Sequence, residues 1–248
     1  MSDEVPQDVY TVEYYLTKRG GSNEFQESGG ADLSELATRL LAMAEPGPGR
    51  RLLDVGCGCG ELVIHATMQG AEAVGIDYAD AAYELAVEAA RRLGVDATFL
   101  KRDVSELPDG PFDAIVMADV VEHLHQHQLD KLYADSRRRL APGGTLVVHT
   151  WPNRWHTTYA YPVTRLLLGL MGIKKPKSPR KPHDEIMHVN EQSVWSLRRD
   201  LRKAGFLPRI WLEHRMPVES SLAYRVVHEA PGLRLLFADH LFAVAKVP

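Results

Sequence analysis

Three side chains that can do acid–base or metal chemistry lie within five residues of one another: Asp119, Glu122 and His123. At spacings i, i+3 and i+4, one turn of helix would place two carboxylates and an imidazole on one face. Oxygen and imidazole ligands suit a divalent ion such as Mg²⁺, which would lower the pKa of a substrate hydroxyl. Without a metal, His123 could accept that proton directly, with Glu122 beside it. A third interpretation, that these side chains only line a pocket, also stays open.

A second chemical signal is the stretch of residues 51–60, RLLDVGCGCG. A short apolar run that ends in Asp54 and is followed by Gly56, Gly58 and Gly60 predicts a strand that turns sharply into a helix. Glycine permits the tight turn and lets a ligand approach the bare backbone. The turn alone is ambiguous, because dinucleotide-binding folds place a pyrophosphate at the same point and a turn can also hold no ligand.

The elements that must position these residues alternate between strand and helix patterns through residues 51–150, which predicts a parallel sheet covered on both faces. The predicted strands are 51–55, 71–76, 97–101, 112–117 and 145–150, the predicted helices are 61–69, 81–93 and 127–140, and a tight turn is expected at 141–144. Later in the chain we expect a helix at 191–204 and strands at 207–213 and 240–247. No ordinary helix pattern separates those two strands, so they form a plausible antiparallel edge pair.

Acidic residues follow the predicted strands at the edge where open α/β sheets bind ligands. Asp77 closes the second strand about twenty residues beyond the glycine turn, where a carboxylate can accept both hydrogen bonds of a ribose diol. Its alternative role is that of a helix N-cap. Asp103 follows the third strand.

Taken together, these four motifs resemble the class I methyltransferases that depend on S-adenosylmethionine (SAM). The resemblance is close over about residues 50–150 and loose over the last sixty. It implies an α/β fold with a Rossmann-like, doubly wound sheet of seven strands, mostly parallel with an antiparallel last strand, and a lid insertion after strand five.

The same resemblance implies a set of cofactor-binding residues. Asp103 would bond the adenine amino group, Val104 and Tyr78 would enclose the ring, and Asp54 and Gly56 would hold the methionine end with help from the backbone near Ala118. The full set is Asp54, Gly56, Gly58, Gly60, Asp77, Tyr78, Asp103, Val104 and Ala118.

Residues 119–123 are similar to the E-x-x-E-H segment of the quinone-biosynthesis O-methyltransferases and of the metal-dependent small-RNA 2'-O-methyltransferases. Those families add a later histidine, for which His183 is the best match. The implied metal ligands are Asp119, Glu122, His123 and His183. Aspartate replaces the first glutamate and is one methylene shorter, which puts its reach to the same ion in doubt.

The insertion at 151–190 is expected to decide the substrate. Its aromatic residues, Trp151, Trp155, Tyr159 and Tyr161, could form a wall for a ring or an isoprenoid chain. Its apolar run and five following cations could instead place residues 159–181 on an anionic bilayer surface. A helix packed on the core with a solvated basic loop is the alternative to both.

The first thirty residues are polar but carry several aromatic side chains, so they form either a flap over the binding site or a partly disordered leader. We therefore divide the chain into an N-terminal helical cap or flap (1–49), a SAM-binding core (50–150), a substrate lid (151–190) and a C-terminal part of the same sheet domain (191–248).

Composition excludes several classes of protein. The 248 residues are 45% hydrophobic and 25% charged, as in ordinary globular proteins. A net charge of -4 leaves the protein without the overall positive charge typical of nucleic-acid-binding proteins, so we do not expect a nucleic-acid partner. Cys57 and Cys59 are too close in sequence for a disulfide and lack the second pair that a zinc site needs. No signal peptide or membrane span is recognisable, so we expect a cytoplasmic protein, with peripheral membrane contact if 159–181 binds lipid.

The sequence thus predicts a SAM-dependent O-methyltransferase that acts on a small phenolic, quinone-precursor or natural-product hydroxyl, with or without a divalent metal. Metal-independent N- or C-methylation of a small metabolite and a SAM-binding regulatory module without catalysis stay open. An NAD-dependent dehydrogenase is disfavoured by the G-x-G-x-G spacing and by Asp103.

Overall fold

Seven strands form one mixed sheet in the computed structural model, which describes residues 5–213 and 230–248. The strands are β1 (Arg51–Val55), β2 (Glu72–Asp77), β3 (Thr98–Lys101), β4 (Phe112–Ala118), β5 (Leu140–Thr150), β6 (Leu207–Glu213) and β7 (His240–Lys246). Their order is β3-β2-β1-β4-β5-β7-β6. Strand β7 is antiparallel to both of its neighbours, while β1 to β5 pair in parallel. The predicted seven-stranded sheet, mostly parallel with an antiparallel last strand, is confirmed.

Helices cover both faces of this sheet. They are α1 (Val12–Thr17), α2 (Ser22–Ser28), α3 (Glu35–Ala44), α4 (Glu61–Met68), α5 (Asp80–Leu93), α6 (Gln126–Arg139), α7 (Tyr161–Leu170), α8 (Pro182–Met187), α9 (Val194–Lys203) and α10 (Pro231–Phe237). Adjacent strand residues point to opposite faces, because side chains alternate along a strand. Leu53 accordingly joins the core formed with α6 and α9, and Leu52 joins the core formed with α3 and α4.

The predicted turn at 141–144 lies within β5 instead of before it. The pairing of β4 with β5 jumps from Phe112 opposite Leu140 to Ala114 opposite Thr145. The extra residues of β5 therefore bulge out of the ladder, an irregularity that a glycine-rich segment tolerates. The sequence pattern located the turn, but it did not predict that β5 also pairs with β4 before the turn, at Leu140.

The chain reverses its order of strand addition between β1 and β4. In open α/β sheets, this reversal leaves a crevice at the carboxyl ends of the strands, because the flanking connections leave in opposite directions. The turn after β1 and the ends of β2, β3 and β4 face this crevice. The fold therefore brings together the residues that the sequence singled out on four separate strands.

The described part of the N-terminal segment, from residue 5 to α2, is folded against the rest of the chain. Tyr15 and Phe25 are buried and pack with Cys59, Ile64 and Ala89. The packing places α1 beside α5 and over the glycine turn that follows β1. Among the described residues, no helix combines the length and apolar character needed to cross a membrane.

Candidate functional site

A cavity of about 220 Å³ opens at the carboxyl ends of the central strands. It lies between the turn after β1, the ends of β2 and β4, and the N-terminal segment. Among the described residues, its charged lining is acidic apart from one arginine, Arg19. The acids are Asp54, Glu61, Asp77, Asp103 and Asp119. A ligand that carries more positive than negative charge would match this balance of charge.

The glycine turn forms one wall of this first cavity. Gly56 and Gly58 line it in the left-handed conformation, with φ of +68° and +53°. Gly60 does not line the cavity. A Cβ at Gly60 would lie 2.6 Å from the ring of Phe99, so this glycine permits the close approach of α4 to the sheet. Of the three glycines, two are therefore placed to contact a ligand and the third serves packing.

The carboxylate of Asp77 is buried at the end of β2, with 7% of the residue exposed. Its Oδ2 accepts the backbone N–H of Gly58 at 3.0 Å, and its Oδ1 accepts that of Ala79 at 3.0 Å. Burial raises the pKa of this carboxyl, while the backbone donors work in the opposite direction. Each oxygen keeps a further lone pair, so the capping bonds do not prevent Asp77 from accepting hydrogen bonds from a diol.

Asp54 is buried more deeply, at 2% exposure, and its Oδ1 has no hydrogen-bond partner among the described residues. Burial, followed by the nearby charges of Glu61 and Asp77, raises its pKa well above the usual range. A buried acceptor without a donor is costly unless a ligand supplies one. Asp54 is thus prepared for a cationic or hydrogen-bonding group.

The other predicted cofactor residues line the same cavity: Tyr78, Asp103, Val104 and Ala118. The hydroxyl of Tyr78 donates to the carbonyl of Val5 at 3.3 Å, which ties the N-terminal segment to the end of β2. Asp103 accepts the backbone N–H of Ser105 at 2.8 Å. The fold therefore brings eight of the nine predicted residues to one cavity, Gly60 being the exception.

A second cavity, of about 320 Å³, adjoins the first. The two share part of their lining, including Tyr14, Arg19, Asp119 and His123. Beyond these, the second cavity is lined by a group of aromatic and imidazole side chains on β7 and in the segments that follow β5 and α8. They are Trp151, His188, His240 and Phe242. This cavity has the position expected for a second substrate beside a bound cofactor.

Asp119 does not belong to a helical turn, contrary to the prediction for residues 119–123. Its backbone is left-handed, with φ of +53°, and only Val121–His123 form a short 3-10 turn. The Oδ1 atom of Asp119 lies 2.7 Å from Nδ1 of His149, whose Nε2 lies 2.8 Å from Nδ1 of His240. Although burial acts in the opposite direction, the two histidines hold the pKa of Asp119 below its usual range.

Glu122 is fully buried under the second cavity. Its carboxylate accepts the hydroxyl of Thr150 at 2.8 Å and the backbone N–H of Trp151 at 3.5 Å. Burial, and then the charge of Asp119, raise its pKa well above the usual range. Burial and the neighbouring charge thus favour a neutral carboxyl over a free anionic base, although the two donors act in the opposite direction.

His123 lies at the junction of the two cavities. Its Nδ1 is 3.2 Å from the hydroxyl of Tyr10, and its ring meets that of His188 edge-on at 4.9 Å. Burial lowers the pKa of His123 to about 4. The imidazole is therefore neutral at neutral pH, which is the form that can accept a proton.

The structure does not bring the four predicted metal ligands together. Asp119 is paired with His149, and Nε2 of His183 lies 3.0 Å from Oδ1 of Asp184. The physical reason is the left-handed backbone at Asp119, which turns its carboxylate toward β5. Among the described residues, one group that could hold an ion consists of Glu122, His123 and His188, whose ligand atoms lie within 4.8 Å of one another.

Sequence reasoning missed several residues that line these cavities or contact their lining. Arg19 and Tyr10 lie in the N-terminal segment, where the recurrent aromatic residues were the available signal. His149 and His240 lie on strands that the sequence did identify, but no local pattern connects two residues 91 positions apart. His188 carried no signal beyond its residue type.

The aromatic residues of the insertion are dispersed. Of the four that were expected to form a wall, Trp151 lines the second cavity. Trp155 packs against Trp195 with ring centres 6.2 Å apart, and Tyr159 is 58% exposed. Apart from Trp151, the insertion reaches the second cavity through Lys181, Asp184 and His188.

Comparison with known proteins gives a consistent set of relatives. A family profile described as a methyltransferase domain matches residues 52–144. The ubiquinone biosynthesis O-methyltransferase of Alkalilimnicola ehrlichii is 31% identical over 178 residues, which cover 68% of each chain. The demethylmenaquinone methyltransferase of Thermus thermophilus is 35% identical over 127 residues, which cover 50% of this chain and 56% of that one.

Solved structures share the fold at lower identity. A geranyl diphosphate methyltransferase, solved with geranyl diphosphate and sinefungin, aligns with a TM-score of 0.66 and 17% identity over 97% of both chains. A phosphoethanolamine N-methyltransferase of Haemonchus contortus, solved with SAM, gives 0.64 and 17% over 96% of this chain and 60% of that one. These likenesses concern the architecture of the sheet and its helices.

Proposed function

Because the chain belongs to the class I SAM-dependent methyltransferases, we propose that it methylates a hydroxyl oxygen of a small phenolic or quinone-precursor acceptor. The observation that carries this proposal is the position of His123 at the junction of the two cavities. A neutral imidazole there can receive the proton that a hydroxyl must lose as it becomes a nucleophile. The relative from Alkalilimnicola ehrlichii, an O-methyltransferase by name, supports the choice of oxygen.

The residues of the first cavity fit SAM. Asp54 offers a buried oxygen without a partner, and Asp77 presents two carboxylate oxygens at the distance along the chain expected for a ribose. When bound, SAM supplies an electrophilic methyl group on its sulfonium. The protein contributes the alignment of acceptor and methyl, which is worth several orders of magnitude in rate.

Three residues, Tyr10, Asp119 and His149, set the surroundings of His123 on the acceptor side of the site. Tyr10 fixes one ring nitrogen of His123, and burial keeps the imidazole uncharged. Asp119 carries a negative charge at the boundary of both cavities, held in place by His149. A proton that His123 accepts is stabilised there by this nearby carboxylate, whose charge raises the pKa of the imidazole.

A divalent ion would be an alternative way to acidify the acceptor hydroxyl. The group that could hold it, Glu122, His123 and His188, differs from the group that the sequence predicted. Two of its three members are engaged elsewhere: Glu122 with Thr150, and His123 with Tyr10. We therefore propose that transfer proceeds without a metal, with His123 as the proton acceptor.

We further propose that α7 and the loop that follows it contact an anionic lipid surface. No residue of α7 is buried, and Leu166, Leu170 and Met171 are 66%, 79% and 73% exposed. Exposed lysines follow directly at positions 174, 175 and 177. An apolar helix face beside a cluster of cations is the combination that binds membrane surfaces.

The decisive experiment is transfer of a labelled methyl group from SAM to a panel of catechols, hydroxybenzoates and matched aromatic amines, in the presence of a chelator. We expect methylated oxygen products from the wild type and a loss of about 10²-fold or more in His123→Asn. Tyr159→Phe, on an exposed side chain, serves as the control and should retain full activity. Transfer only to amines, or full activity of His123→Asn, would contradict the proposal.

A further inference from the structure

Among the described residues, Asp119 is the one acid that lines both cavities. Its Oδ1 atom is buried, whereas 41% of its side chain is exposed, so the exposed part of the carboxyl group is the side that carries Oδ2. Methyl transfer from the first cavity to the second must cross the boundary at which this side chain lies. The charge of Asp119 therefore acts close to the point of transfer.

The backbone of Asp119 has a conformation that most residues avoid. Its φ is +53°, in the left-handed region, and its N–H donates to the carbonyl of His149 at 3.1 Å. Such a backbone costs free energy and persists where the surrounding structure fixes it, often at functional sites. The position of the carboxylate is thus built into the turn that follows β4.

Two histidines behind Asp119 hold its carboxylate. His149 pairs with Phe242 in the ladder of β5 and β7, so His240, two residues earlier in β7, lies on the same face. Oδ1 of Asp119 lies 2.7 Å from Nδ1 of His149, and Nε2 of His149 lies 2.8 Å from Nδ1 of His240. Two lone pairs would repel at these distances, so one hydrogen lies in each contact.

The carboxylate of Asp119 is ionised in this arrangement. Although burial acts in the opposite direction, the two histidines hold its pKa below the usual range. Nδ1 of His149 therefore carries the hydrogen that faces Oδ1. With both imidazoles uncharged, the negative charge remains on Asp119 and is directed at the cavities through Oδ2.

The other charges that line the second cavity are compensated or exposed. Three of its cations are paired with carboxylates: Lys18 with Glu13, Arg19 with Glu61, and Arg39 with Glu213. The fourth, Lys181, is exposed and donates to the carbonyl of Lys18 at 3.4 Å. Of the remaining acids, Glu122 has a pKa raised by burial and then by Asp119, Asp184 contacts His183, and Glu24 and Glu35 are exposed. The charge of Asp119 thus dominates the boundary with the first cavity.

An acceptor can enter the second cavity with or without a negative charge. A neutral hydroxyl gains positive charge on its oxygen as the bond to the methyl carbon forms, and it then loses its hydrogen. A phenolate, a thiolate or a carboxylate is already negative when it arrives, and a nearby carboxylate repels it. A fixed anion at this boundary therefore stabilises transfer to the neutral acceptor and opposes binding of the anionic one.

We propose that Asp119 makes the second cavity select neutral nucleophiles, so that the acceptor is a hydroxyl compound that keeps its hydrogen until transfer. This inference rests on the proposed function, because it takes the second cavity as the acceptor site and His123 as the group that receives the hydrogen. Asp119 is then a specificity-determining residue. His149, which lines neither cavity, is a positioning residue that acts through the carboxylate of Asp119.

The probe for this proposal is 4-nitrophenol, because its ionised form is yellow and its neutral form is not. Its colour is titrated against pH with and without protein saturated with S-adenosylhomocysteine, so no turnover is needed. Wild-type protein should raise the apparent pKa of the bound phenol by about one unit or more, a preference of about tenfold for the neutral form. In Asp119→Asn, which keeps the size of the side chain and tolerates the left-handed backbone, this shift should fall to less than half.

Glu13→Gln is the matched control, because it removes one negative charge at an exposed position that lines neither cavity. Its shift should equal that of the wild type. His149→Phe keeps a ring beside Phe242 but releases the carboxylate of Asp119, so its shift should lie between those of the wild type and Asp119→Asn. If Asp119→Asn does not fold, His149→Phe carries the comparison.

An equal shift in the wild type and in Asp119→Asn would overturn the proposal. So would wild-type protein that binds the phenolate more tightly than the phenol, or that binds neither form at millimolar concentration. These outcomes differ from failure of the proposed function. Transfer only to amines, or full activity of His123→Asn, would leave the colour shift and its dependence on Asp119 intact.

Discussion

The hydroxyl of Tyr10 lies 3.2 Å from Nδ1 of His123, although 113 residues separate the two in the chain. Tyr10 comes from the N-terminal segment and His123 from the short turn after β4. Their contact lies beside the boundary between the two cavities. The candidate proton acceptor is therefore oriented by a segment outside the sheet domain.

Removing only this hydroxyl should impair turnover more than cofactor binding. In Tyr10→Phe the ring still fills its place against Tyr15 and Tyr78, but Nδ1 of His123 loses its partner. We expect kcat to fall about tenfold, since an unanchored imidazole is less often aligned. Affinity for S-adenosylhomocysteine, measured by calorimetry, should stay within about threefold. An unchanged kcat would show that the contact has no role in catalysis.

Neutralising Asp77 should weaken cofactor binding directly. In Asp77→Asn one oxygen becomes an N–H₂ group, which cannot accept from a ribose hydroxyl or from a backbone N–H. A lost hydrogen bond to a charged group costs about 1.5–3 kcal/mol, so the affinity for S-adenosylhomocysteine should fall about 10- to 100-fold. Asp80→Asn, at an exposed position three residues beyond the end of β2, is the control. Equal affinity in the Asp77 variant and the wild type would remove this residue from the site.

Gly60→Ala should destabilise the fold by two separate effects. The residue has a φ of +80°, and a Cβ there would lie 2.6 Å from Phe99. Gly143→Ala is the matched control, because its φ is +76° but nothing lies within 4 Å of its Cβ. The control should lose about 1 kcal/mol from backbone strain, and Gly60→Ala about 2–4 kcal/mol in urea unfolding. Equal losses would show that close packing at Gly60 contributes nothing.

Acid should destabilise the protein between about pH 6.5 and pH 4. Burial lowers the pKa of both His123 and His188 to about 4, so the unfolded chain takes up these protons first as the pH falls. As the pH falls below about 6.5, the free energy of unfolding should therefore decrease by up to about 1.4 kcal/mol per pH unit for each histidine. His188→Gln should show a shallower decline in urea unfolding over this window. An identical slope in variant and wild type would contradict the assignment of His188.

The exposed face of α7 should carry any membrane affinity. In Leu166→Asp/Leu170→Asp, two carboxylates replace side chains that are 66% and 79% exposed, so the fold should be unaffected. We expect the wild type to cosediment with vesicles that contain anionic lipid and the double variant to remain in the supernatant. High salt should weaken the wild-type interaction, because the lysines act through charge. Absence of wild-type cosedimentation would remove lipid from the proposed partners.

Local sequence predicted most of the elements to within one or two residues because each obeys a local rule. The strand at 51–55 and the helix that follows it show apolar periodicity punctuated by glycine. The bulge in β5 escaped prediction because pairing register depends on the neighbouring strand. The left-handed backbone at Asp119 was not predicted either, because the helical spacing of residues does not reveal backbone handedness.

The sequence by itself determined the class of sheet, the cofactor class and the acids at the strand ends, since these follow from short motifs in a fixed order. Only the tertiary structure decided which side chains meet: Arg19 with Glu61, Tyr10 with His123, and Asp119 with His149. Each pair joins residues that are at least 30 positions apart. Such contacts arise when helices and strands pack, so no local pattern in the chain encodes them.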